Sequence, residues 1–189
     1  MPQMTRFPIL ALSALLTASC GGSTGAPVLL GPFVQDFESH PDDGFVQLFA
    51  PVFIGNGATI TNVANGALFD FSTADGWGFG GCDAIATSGT LMMGAGQTAP
   101  NQVVVEITLD PPAARVDLAL GDAPGGLISL EARDASNILL DSDDRLAGPC
   151  PVSLVTHSVA SGDQNLIASV RLVGEVLAWD DLRIWRWSP

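Results

Sequence analysis

The sequence predicts an all-β chain folded as an antiparallel two-sheet sandwich, on three observations. Short runs rich in β-branched and aromatic residues recur about every ten residues, each bounded by Gly, Pro, Asn or Asp. Several of these runs alternate apolar and polar residues with period two, which marks a half-buried strand. No stretch after residue 20 keeps an i, i+3, i+4, i+7 apolar stripe for three turns. Without helical crossovers the strands must pair antiparallel. The 189 residues suffice for one domain, and 47% hydrophobic against 14% charged residues argues against disorder.

Ahead of the strands stands a targeting segment. Met1 to Arg6 carries one positive charge, and Phe7 to Leu16 is apolar. About ten apolar residues are too few to cross a ~30 Å hydrocarbon layer as a permanent helix. Leu16-Thr17-Ala18-Ser19-Cys20 follows, then Gly21-Gly22-Ser23. This resembles a bacterial lipoprotein signal, in which the cysteine is lipidated and becomes the first mature residue. The resemblance implies cleavage after residue 19, a lipid on Cys20 and anchoring at the outer membrane or cell surface of the envelope. Thr17 departs from the pattern, which usually has an aliphatic residue there. An ordinary secretory signal, with a periplasmic or secreted product, is the alternative. Residues 20–32 are rich in Gly, Ser and Pro and read as a flexible tether, which leaves 33–189 as the domain.

The expected strands are 33–38, 45–53, 58–63, 67–71, 102–109, 115–120, 126–133, 137–140, 152–159, 165–173 and 176–187. Alternation is clearest where Val103, Val105, Ile107 and Leu109 oppose Glu106 and Thr108, and where Val116, Leu118 and Leu120 oppose Asp117. Between them, 72–100 reads as one long glycine-rich loop that packs Trp77 and Phe79 on the sandwich. It lacks the Lys-Ser/Thr and the strand–helix setting of a phosphate cradle. Setting Cys20 aside leaves Cys82 and Cys150, an even pair outside any CxxC motif. In an exported protein the expectation is a Cys82–Cys150 disulfide, with two buried free thiols as the alternative.

Charge narrows the partners. Seven arginines and no lysine face 20 acidic residues, for a net charge of −13. Nucleic acid is excluded as a partner because a phosphate backbone needs a basic patch. Catalytic patterns are missing: neither His40 nor His157 sits in Gly-x-Ser-x-Gly or His-Glu-x-x-His, and the expectation is no enzyme. His157, in mid-strand, reads as a hydrogen-bonded structural or surface histidine. Asp141-Ser142-Asp143-Asp144 lacks the glycine and the terminal Glu of a calcium loop and reads as a solvated turn.

The last strand holds the candidate ligand residues. Trp179, Trp185 and Trp187 share parity with Asp181 and Arg183, an arrangement that would stack sugar rings and bond their hydroxyls. The alternative is that these rings cover an inner sheet face. Asp180 shares parity with Ala178, Leu182 and Ile184, which would aim a carboxylate at the interior. Such a group needs donors or a cation.

Both chain ends and the strands between carry a more specific pattern. Gln35-Asp36-Phe37-Glu38 opens it, Thr108-Leu109-Asp110-Pro111-Pro112 and Leu130-Glu131-Ala132-Arg133-Asp134-Ala135 lie within, and Trp179-Asp180-Asp181-Leu182 closes it. The succession resembles the jelly-roll domain of exported bacterial proteins with a PEP-CTERM sorting tail. Its ends also look like those of jelly-roll carbohydrate-binding modules, the galactose-binding-like sandwiches. That resemblance spans about residues 33–186 and implies a non-catalytic module for glycan or exopolymer. A structural or assembly component of the envelope, bound to a partner protein and no small ligand, is the second reading. In such domains the first and last strands are neighbours and a structural calcium ion often lies between them. The implied ligands here are Asp180 with Asp36 and Glu38.

Overall fold

The computed structural model describes residues 26–37, 46–72, 84–85, 87–88, 91–97, 101–122, 125–149 and 151–189. Their regular elements are all strands: β1 (Leu29–Gln35), β2 (Val46–Leu48), β3 (Val52–Gly55), β4 (Ala58–Ala64), β5 (Gly66–Ser72), β6 (Ala84–Ile85), β7 (Leu91–Gln97), β8 (Val103–Ala113), β9 (Arg115–Gly121), β10 (Leu127–Arg133), β11 (Leu139–Leu146), β12 (Val152–Ser153), β13 (Val155–Ala160), β14 (Ile167–Gly174) and β15 (Val176–Trp187). A seven-stranded sheet runs β13-β9-β15-β7-β5-β2, with β1 also on β15, and a six-stranded sheet runs β11-β10-β14-β8-β4-β3. Every pairing in both sheets is antiparallel, so the expected sandwich is the observed fold.

The alternating strands set the core. Val103, Val105 and Ile107 of β8 and Ile128 and Leu130 of β10 face Val116, Leu118 and Leu120 of β9, all fully buried or nearly so. Leu177, Trp179, Leu182 and Ile184 of β15 complete the opposing layer. Phe37 joins this core, wholly buried although its φ of 61° is rare for a bulky residue.

Five expected elements differ, one of them 152–159, which is split at Leu154 into β12, paired with β6, and β13 of the seven-stranded sheet. β1 begins at Leu29, so residues 29–32 belong to the sheet and not to the tether. The expected 45–53 strand is two: Pro51, with no N–H to donate, stands where the chain leaves β2 in one sheet for β3 in the other. Within 72–100 lies β7, a central strand between β5 and β15. Asp141-Ser142-Asp143-Asp144 is not a turn but the middle of edge strand β11, paired with β10 from Leu139 to Leu146. The turn comes earlier, where Asp134 Oδ1 accepts from the N–H of Ser136 and Ile138, and Asn137 takes a φ of 64°.

Cys20, Glu38, His40, Trp77, Phe79, Cys82 and Cys150 lie outside the described residues.

Candidate functional site

The geometry of β15 decides which of its side chains meet. Against β9 its register slips between Asp180 and Arg183: Asp180 faces Ala119, but Arg183 faces Asp117. One extra residue is accommodated at Asp181, whose φ is 51°. A bulge of this kind switches the parity of everything beyond it. Leu177 and Trp179 point into the core, and beyond the bulge so do Leu182 and Ile184. The expected row of three tryptophans is thereby corrected. Trp179 is fully buried, whereas Trp185 and Trp187 lie beyond the bulge, half-buried. Asp180 likewise does not share a face with Leu182 and Ile184.

What the bulge does bring together is a polar face on the seven-stranded sheet. Trp185 sits across the ladder from Arg115, whose guanidinium lies 4.8 Å from the centroid of the indole. That guanidinium makes two 2.8 Å bonds to the Asp117 carboxylate, and Ser158 of β13 donates its hydroxyl to the same carboxylate at 2.7 Å. Asp117 in turn holds the Arg115 proton more firmly than usual, through the hydrogen bond first and against the cost of burial. Arg183 donates to Asp181 at 3.2 Å. Both arginine side chains remain over 40% exposed, so this face is open to solvent. Asp181, Arg183 and Trp185 were legible in the sequence. Arg115, Asp117 and Ser158 were not, because only strand register places them beside β15.

The two buried carboxylates at the bulge are held by the 87–88 segment. Asp180 Oδ2 accepts from Thr87 N, Thr87 Oγ1 and Ser88 N at 2.9, 2.9 and 3.0 Å, while Oδ1 accepts from Asp181 N at 2.8 Å. The single Thr87 hydroxyl proton is shared with Asp181 Oδ2, also 2.9 Å away, and Ser88 donates its hydroxyl to Asp181 Oδ1 at 2.8 Å. Burial pushes the Asp180 carboxyl up, opposed by the Ser88 and Thr87 bonds. Of the expected calcium set, Asp180 already accepts N–H and O–H donors on both oxygens, and Glu38 lies outside the described residues. Asp36, just past the end of β1, is exposed, and no group of three His, Cys, Asp or Glu able to hold a metal occurs among the described residues. β1 and β15 are nevertheless paired, from Leu29 opposite Trp187 to Gln35 opposite Leu182.

Trp187 belongs to a different place. Its indole donates to Gly162 O at 3.1 Å and its N–H to Asn165 Oδ1 at 2.7 Å. With Leu30, Phe33, Pro111 and Arg186 it lines a groove of about 340 Å³ where β1 meets the end of β15. Arg186 is fixed there by carbonyls of Pro111 and Asn56, and its guanidinium lies 5.6 Å from the Phe33 ring centroid.

His157 is wholly buried on β13, with Nδ1 3.1 Å from the carbonyl oxygen of Asp143. A carbonyl only accepts, so Nδ1 carries the proton and Nε2, which has no partner, does not. Burial pushes this imidazole down, more than Asp143 raises it. It is a structural side chain beside a cavity of about 110 Å³ that Leu120, Ile128 and Arg145 help to line.

No protein-family model and no curated protein matches the chain. Among solved structures it is similar to the enzymatically active domain of tailspike protein 4 of bacteriophage CBA120, at 9% identity and a TM-score of 0.42, over 82% of this chain and 21% of that one. It is also similar to TmCBM61, solved with β-1,4-galactotriose, at 11% identity and 0.37, over 80% and 90% of the two chains. A third likeness is to the arabinose-bound α-L-arabinofuranosidase MgGH51, at 6% identity and 0.41, over 79% and 25%. The chain thus spans about a fifth of the tailspike chain and a quarter of the arabinofuranosidase. Fold and site together make this chain a two-sheet antiparallel β-sandwich with a tryptophan-bearing polar face on its seven-stranded sheet.

Proposed function

We propose that the protein is an exported, lipid-anchored component of the bacterial cell envelope whose sandwich binds a neutral glycan or exopolymer without catalysis. The observation that carries the reading is the solvent-facing cluster of Trp185 with Arg115–Asp117, Ser158 and Arg183–Asp181. An indole offers a flat apolar face to a sugar ring, and the surrounding hydroxyl, guanidinium and carboxylate groups match its hydroxyls. Each guanidinium is already neutralised by a carboxylate, and the chain carries −13 overall, so the face favours an uncharged polymer over an anionic one. The same chemistry supports a non-catalytic role. The carboxylates on this face are tied to arginines, and His157 is buried with its proton committed. Lipid anchoring rests on Leu16-Thr17-Ala18-Ser19-Cys20.

The test is retention of the Cys20→Ser protein, released in soluble form, on a panel of insoluble neutral polysaccharides. Trp185→Ala should weaken retention at least about tenfold, the loss of one stacking ring, while the variant still melts cooperatively as a folded domain. No retention on any polymer, or retention indifferent to Trp185, refutes glycan binding and leaves the protein-partner role in the envelope. Native Cys20 should partition with membranes, and Cys20→Ser should not.

A further inference from the structure

We propose that the groove at the β1 edge docks on the lipid surface to which Cys20 ties the chain, so that the sandwich lies against the bilayer and does not swing freely from its tether. The inference rests on the lipid-anchoring reading and adds an interaction surface to it. β1 pairs with β15 alone among the described residues. Val28, Leu29, Leu30, Phe33 and Val34 are between 39% and 59% exposed, an unusual run of apolar residues to leave in water at a sheet edge. Leu29 lies across the ladder from Trp187 and Leu30 from Arg186, so these apolar residues are continuous with the groove.

Two further features select lipid as the occupant. Among the described residues that line the groove no side chain is acidic, in a chain with 20 acidic residues, and the one charged side chain is Arg186. An indole and an arginine flanking apolar residues suit the boundary between headgroups and acyl chains. Length fixes the neighbourhood: the six residue steps from Cys20 to Ala26 reach at most about 20 Å when fully extended. Val28, which exchanges hydrogen bonds with Ser188, is therefore held near the surface by the same lipid. Depth is limited too. The outward edge of β1 has backbone polar groups that hydrocarbon would not tolerate, so docking stops at the interface.

The experiment uses the full chain with its lipid, reconstituted into phosphatidylcholine vesicles with brominated acyl chains. Bromine quenches an indole only at close range. Vesicle-bound wild type should lose part of its tryptophan emission relative to non-brominated vesicles. Trp187→Phe should abolish most of that difference, and Leu30→Ser with Phe33→Ser should reduce it at least about twofold, with all variants floating with the vesicles and melting like wild type. Flotation without quenching, or quenching indifferent to Trp187, overturns docking while leaving the anchor intact. Failure of the wild type to float overturns the anchor and docking with it. A monomer–dimer equilibrium abolished by Leu30→Ser with Phe33→Ser, in place of a quenching change, assigns the groove to a second copy and also overturns the proposal.

Discussion

His157 and Asp180 are both buried ionisable groups, and their stability effects differ in sign. Burial holds the His157 imidazole below its ordinary 6.5. The unfolded chain therefore binds the extra proton first, and the stability this group leaves intact above 6.5 is lost as pH falls through that value. Asp143 on β11 is held below its ordinary 3.8, chiefly by Arg145, so its contribution is lost only in stronger acid. The charged groups facing the ring are Asp143, Asp144 and Arg145. Denaturant melts from pH 7.5 to 5 should show falling stability for wild type and a flatter profile for His157→Phe, which has no proton to gain. Asp180 answers to substitution. Both its oxygens accept bonds, so Asp180→Asn turns one acceptor into a donor facing donors and should cost about 1–3 kcal/mol in urea melts. A loss near zero would show that the 87–88 segment does not bind there in solution.

At the scale of elements, the outcome depended on whether a residue's partner was local. Strands with clean alternation, such as β8, β9 and β10, were legible because period two reports one buried face. β7 was not, since Leu91-Met92-Met93-Gly94-Ala95-Gly96 has no alternation and its glycines read as loop. It is a strand because β5 and β15 flank it on both sides, a tertiary cause. The bulge at Asp181 escaped for the same reason, and with it the true orientation of Trp179. β11 shows what its carboxylates are for: Asp143 accepts from Ser158 N at 3.0 Å and Asp141 from Ala160 N at 2.9 Å, covering edge N–H groups of β13 across the side of the sandwich. Asp141→Ala should destabilise by about 1–2 kcal/mol, since the carboxylate also accepts from Ser142 N at 3.0 Å and both bonds lie at a partly solvated edge. The β3–β4 hairpin turns on Asn56-Gly57, with φ of 51° and 77°. Gly57→Ala should cost more than about 2 kcal/mol, since it strains that φ and its Cβ would collide with the Asp110 carbonyl. Thermal melts would report both, and the larger loss belongs to Gly57.

For the whole molecule, the question is what holds the segment between β5 and β7 to a sandwich that otherwise closes without it. Two attachments are described. Thr87 and Ser88 bond the carboxylates of β15, and β6 pairs in parallel with β12, Ala84 opposite Val152 and Ile85 opposite Ser153. Cys82 and Cys150 each precede that ladder by two residues, the same offset on both strands. Both cysteines lie outside the described residues, and the argument for joining them is the sequence one, that two thiols remain in an exported chain. A bridge here closes a loop of roughly 70 residues and restricts the unfolded chain by about 4 kcal/mol in the entropy model. Exported protein digested without reductant should yield a Cys82–Cys150 peptide pair, and reduction should lower its melting temperature while leaving that of Cys82→Ser with Cys150→Ser unchanged. Finding both thiols free in the exported chain would mean that the 84–85 segment is held by its ladder and by the hydrogen bonds of Thr87 and Ser88, without a covalent tie.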